Sequence, residues 1–141
     1  MDHVVYLDAK ANELEKLLNG SKTSIIRGAA GRKLPYGRVN KGDILYFINN
    51  DGEGKVKAKG NVSSIFNSNK MSKEESTALV KENQDKLQLT DKQFQKWAGK
   101  RYIVVIEITE ITEVKPFSID KSSYGNMDDW LPVENIENVS K

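Results

Sequence analysis

Residues 3–7 read HVVYL, a short β-rich run that predicts a first strand. The apolar spacing then changes. Leu14, Leu17 and Leu18 recur at i, i+3 and i+4, one face of a helix that Asp8 is placed to cap and Gly20 to stop. KTSIIR at 22–27 predicts a second short strand, followed by a loop rich in Gly, Arg and Lys as far as Gly42. DILYFIN at 43–49 predicts a strong strand, and NDGEG at 50–54 is turn chemistry. From Lys55 lysines alternate with small apolar residues, which predicts the second arm of a hairpin over 55–66 with Lys55, Lys57 and Lys59 on one side.

The middle of the chain is helical. Ser72 with Glu75 three residues on predicts a capping box, and Thr90 opens a further helix in which Phe94 and Trp97 face inward before Gly99 ends it. The longest strand is expected over 101–114, where a continuous apolar run passes into alternation with glutamates. Pro116 and Pro132 punctuate the rest, so 116–141 is expected as a tail packed on the barrel, anchored by Trp130, Leu131, Val133 and Ile136. About five to six strands, mostly sequentially paired, with inserted helices predict a small α+β mixed barrel, spanning 1–141 as one domain. A doubly wound sheet would need regular strand–helix alternation, which is missing.

Composition narrows the chemistry. Cysteine is absent, which removes disulfides and thiolate metal sites, and His3 is the single histidine, so no zinc site or His-based triad is expected; carboxylate-bound magnesium stays open to the composition, but no metal site or cofactor is expected. Glu107, Glu110 and Glu113 do not share one strand face and read as solvated charges; Asp128 and Asp129 read as cap or turn residues. No apolar run approaches bilayer length and no signal-peptide pattern opens the chain, so a cytoplasmic protein without membrane or disulfide partners is expected.

The net charge of +2 says little, but its distribution says more. Residues 16–42 hold seven cations and no carboxylate, whereas 101–141 hold four cations and eight carboxylates. Such asymmetry gives one face the field to attract an anion. The glycines of GAAGRKLPYGRVNKG fit neither a Walker loop nor a dinucleotide fingerprint. What remains is a flexible cationic loop able to approach a phosphate backbone closely. Lys22, Arg27, Arg32, Lys33, Arg38 and Lys41 are the candidate phosphate contacts, and Tyr36 is the candidate base stacker, with Tyr46 or Phe47 beside it.

LLNGSKTSIIRG, followed after a loop by KGDILYFI and later by GKRYIVVIEITEI, resembles the PUA-like superfamily, especially its ASCH branch. The resemblance extends to about Lys115; the tail with NMDDWLPVENI is similar to uncharacterised archaeal PUA-like proteins. It implies a pseudobarrel whose cleft lies between the first helix, the Lys-Thr strand and the inserted helices. It also implies association with RNA, a modified nucleoside or a nucleotide. In one ASCH group it implies hydrolysis of an acylated cytidine by a lysine, a threonine and a glutamate. Lys22 matches that lysine. Ile25 stands at the threonine's place with Thr23 and Ser24 near it, and the acid's place offers Asp85, or Glu82 with a gap.

Two function classes follow. The first is an RNA- or nucleotide-binding domain that contacts phosphates, and a modified base, through the 22–42 segment. The alternative is an amidohydrolase using Lys22, Ser24 and Asp85, which requires those three side chains to converge in one pocket. Trp97, at core spacing with Phe94, and Trp130, a tail anchor, read as packing residues rather than a base cage.

Overall fold

The computed structural model describes residues 1–124 and 129–141. In chain order it contains β1 (Asp2–Leu7), α1 (Glu13–Leu18), β2 (Ser24–Ala29), β3 (Ile44–Asn49) and β4 (Lys55–Asn67). Three helices follow, α2 (Lys73–Glu82), α3 (Gln84–Leu87) and α4 (Asp91–Trp97), then β5 (Tyr102–Ser118) and β6 (Trp130–Glu134). The strands form one sheet in the order β2-β5-β4-β3-β1-β6. Among the described strands only β1 and β3 run parallel; the other neighbours are antiparallel. The sheet curls into a half-barrel with β2 at one edge and β6 at the other.

Strand alternation decides which side chains fill which layer. Val5, Leu7, Leu45 and Phe47 point inward and meet Leu14 and Leu17 of α1, forming the barrel core. Their neighbours Val4 and Ile48 point outward against Leu131, Val133 and Val139. On the far side Ile26, Ile103 and Val105 pack under Val80, Leu87 and Trp97 of the helical insertion. Burying each such side chain contributes about 1.5–3 kcal/mol.

The predicted capping box at Ser72 forms, and Thr90, expected only as a helix start, makes a second one. The Ser72 hydroxyl accepts from the Glu75 N–H while the Glu75 carboxylate accepts from the Ser72 N–H, and Thr90 and Gln93 repeat the arrangement. The first helix is shorter than its apolar spacing suggested. Asp8 Oδ1 accepts from the Ala11 N–H at 3.2 Å and holds a turn, and Asn12 enters the left-handed region at φ 55°, so helix begins only at Glu13.

The 116–141 segment is more than a tail. β5 runs on to Ser118, and Trp130–Glu134 joins β1 as an edge strand that buries Trp130, Leu131 and Val133. Its apolar residues were visible as anchors, but strand pairing depends on the partner edge that β1 offers. Asp128 lies outside the described residues, whereas the Asp129 carbonyl accepts from the Tyr6 N–H at 2.9 Å.

Candidate functional site

Among the described residues no main-chain pairing joins β2 back to β1 or β6, and the gap between β2 and β1 holds a cleft of about 450 Å³. Arg27, on edge strand β2, spans that gap. Its Nη2 donates to the Tyr6 carbonyl of β1 at 2.8 Å, and its Nη1 donates to the Ile26 carbonyl at 2.8 Å. The guanidinium carbon lies 5.9 Å from the Trp97 ring centroid and 5.7 Å from that of Trp130. Asp129 Oδ2 approaches Nε to 3.2 Å without making a hydrogen bond, so that contact is an ion pair only. Arg27 is 7% exposed, while the Asp129 side chain is half exposed and therefore well screened. The guanidinium is thus fixed mainly by two carbonyls and two indoles, with its charge only weakly neutralised.

Cations from two distant segments line the same cleft: Lys33 from the loop after β2, and Lys96 and Lys100 from α4 and its exit. Lys96 Nζ sits 4.7 Å from the Trp97 centroid. Gly28 makes room for Lys100, because a Cβ there would stand 3.2 Å from the Lys100 Cβ. At the lip the Arg32 guanidinium lies 5.7 Å from the Tyr36 ring and 5.6 Å from that of Tyr102, two residues that line the cleft. Tyr36 is held as a wall: its hydroxyl donates to the Ser68 carbonyl, and its ring meets Tyr102 edge-on at 5.7 Å.

No family model matches the sequence, nor does any curated protein. Solved structures do match. The ASCH protein from Zymomonas mobilis aligns with 97% of this chain and 92% of its own at a TM-score of 0.67 and 14% identity. A point mutant of that Zymomonas mobilis protein aligns over 92% and 87% at 0.67 and 12%. A second mutant from the same organism aligns over 83% and 73% at 0.63 and 13%. The chain has an ASCH/PUA-like fold. At such identities the likeness concerns backbone architecture alone, and the chemistry must be read from this chain's own side chains.

Within the ASCH-like fold, Lys22 lies behind the cleft rather than in it. Its ammonium is fully buried, donates to the Leu87 carbonyl, and sits 3.4 Å from Glu13 Oε2. Glu13 lines the cleft, and its Oε1 accepts from the Asp8 N–H at 2.8 Å. Burial pushes the Lys22 pKa below its usual value; Glu13 opposes that shift, and the neighbouring charges of Arg27 and Lys16 reinforce it. A lysine so enclosed cannot reach a phosphate in the cleft, but it neutralises the carboxylate in the cleft wall.

The remaining sequence candidates scatter. Arg38 and Lys41 are exposed and do not line the cleft. Ser24 faces the other side of the sheet and lines a separate depression, while Asp85 is exposed on α3 and lines neither cavity. Lys22, Ser24 and Asp85 therefore do not converge. Lys22 and Thr23 precede β2, so strand alternation does not extend back to place Lys22 beside Ser24. Ile25, at the place of the family threonine, is buried in the barrel core, and Glu82 is exposed at the end of α2. Phe47 is wholly buried, and Tyr46 packs edge-on to Phe117 on the outer face, 6.4 Å between centroids.

Lys96 and Lys100 were not singled out from the sequence. Their signal was present, since Lys96 adjoins an inward-facing Trp97 and Lys100 follows the helix-ending Gly99. What was missing was the placement of α4 against β2.

Proposed function

We propose that the protein binds RNA, or a nucleotide unit of it, in the seam cleft. Arg27 serves as the fixed anion anchor, with Lys33, Lys96 and Lys100 as mobile phosphate contacts. The observation that carries this reading is the convergence of cations from two segments on one cleft with an indole at its wall. Phosphate contact by arginine is bidentate and geometric, and lysine adds charge with little orientation. The cleft's size suits one nucleotide rather than a duplex. Tyr102, half-buried in the cleft wall, offers a ring edge or face to a base.

Fluorescence anisotropy with a single-stranded RNA across a salt series tests it. Lys33→Glu combined with Lys100→Glu changes exposed cleft positions, so folding is retained. Affinity should fall and the log K against log salt slope should flatten by roughly 1.4, about 0.7 for each lost phosphate contact. An unchanged affinity and slope would exclude the cleft as the binding site.

A second reading, hydrolysis of an acylated nucleoside, is favoured by one observation: Lys22, with a lowered pKa, is paired to a glutamate that lines the cleft. Among the described residues the cleft lining contains no serine or threonine, so on this reading the nucleophile would be a water activated by Glu13. Turnover of an acylated cytidine that disappears in folded Lys22→Met supports this; absence of turnover over a nucleoside panel discards it.

A further inference from the structure

A second depression, of about 290 Å³, lies on the opposite face of the sheet from the barrel core. Register explains its floor. Ser24, Glu107 and Ser64 pair across β2, β5 and β4, and Phe66 lies opposite Val105 in the next row on that face. Leu79, Asn83 and Lys86 of α2 and α3 form the facing wall.

Three features of this depression point to a ligand. The Ser24 hydroxyl is buried, at 1% exposure, lines the depression, and has no hydrogen-bond partner among the described residues. Leaving such a group unpaired costs free energy that a ligand atom could recover. Phe66 is 49% exposed, an unusual position for a large ring, and borders the same space with Ile65, Leu79 and Val105. Finally, the charged residues here are Lys86 and Glu107, and they neutralise each other at 3.3 Å. A phosphate would find no spare cation.

We infer that this depression is a binding site for an uncharged planar heterocycle, a nucleobase carried on a nucleoside. The ring would lie against Phe66 and the aliphatic wall. Its polar edge would meet the Ser24 hydroxyl, which both donates and accepts, and the Asn83 amide, one of whose N–H groups already donates to the Leu79 carbonyl. The small volume admits one base with its sugar and excludes larger ligands. This inference does not depend on RNA binding in the seam cleft, which lies among other residues.

Amide chemical shifts of the full chain, titrated with adenosine, cytidine, guanosine and uridine and then with the corresponding 5′-monophosphates, provide the test. Saturable shifts at Ser24, Phe66 and Asn83 are expected for at least one nucleoside, with no gain in affinity from its phosphate. Phe66→Ala, at an exposed position, should weaken binding about tenfold through lost stacking. Ser24→Ala should weaken it while leaving thermal stability unchanged or higher, because an unpaired hydroxyl has been removed. Lys33→Glu with Lys100→Glu should leave nucleoside binding intact. No saturable shift at these residues at millimolar nucleoside, or a monophosphate preference abolished by the Lys33 and Lys100 changes, would overturn the proposal.

Discussion

The indole N–H of Trp130 donates to Nδ1 of His3 at 3.0 Å, joining residues 127 positions apart. Because Nδ1 accepts, the ring proton sits on Nε2, which donates to Asp43 Oδ2 at 2.9 Å. Asp43 Oδ2 also accepts from the Asn40 N–H at 2.9 Å, so the edge strand β6, the first strand and the end of the basic loop meet at one neutral imidazole. A second ring proton would face the indole N–H and break the bond.

This geometry gives His3 a pKa below 6.5, with burial as the main cause and Asp43 pulling the other way. Between its folded value and 6.5 the unfolded chain binds a proton that the folded chain does not. Stability should therefore be complete above pH 6.5 and decline as the pH falls below it. Urea denaturation across that window checks this, and His3 is the chain's one histidine, so a His3→Asn variant should lack the corresponding part of the slope. Equal slopes in the two proteins would contradict it.

Lys22 and Glu13 should behave as a coupled pair. Lys22→Met alone leaves Glu13 with a buried charge, and Glu13→Gln alone leaves the ammonium enclosed without its carboxylate. Each single change should cost about 3–5 kcal/mol, and the double change less than the sum. A double-mutant cycle by chemical denaturation measures the difference, and strict additivity would show that the two charges do not interact.

Gly60 is required by a close approach between strands. A Cβ there would lie 2.6 Å from Ile108 Cγ2 and 3.1 Å from Ile111 Cγ1, and Ile108 belongs to the barrel core. Gly60→Ala should destabilise by about 1–3 kcal/mol through overpacking, seen as a lower denaturation midpoint. An unchanged midpoint would mean that β4 and β5 separate there at no cost.

Much of the architecture was legible because it rests on short-range signals. Capping at Ser72 and Thr90, the inward faces of Leu14 and Leu17, and the alternation from Lys55 are each set within a few residues. The cationic character of 16–42 was legible in the same way, as was the anchoring role of Trp130. The short span of α1 and the pairing of β6 were not, since both depend on partners remote in sequence.

By itself the sequence determined the strands up to β5, the capped starts of α2 and α4, and the existence of an acid-free cationic stretch, because hydrophobic period and local charge act over one or two turns. Only the tertiary structure decided which cations share a cleft. It enclosed Lys22 behind Glu13, left Arg38 and Lys41 outside, brought Lys96 and Lys100 in, and set Arg27 between two indoles at the unclosed seam. The physical reason is that long side chains take their place from whatever the folded chain packs against them, and those neighbours lie far away in sequence.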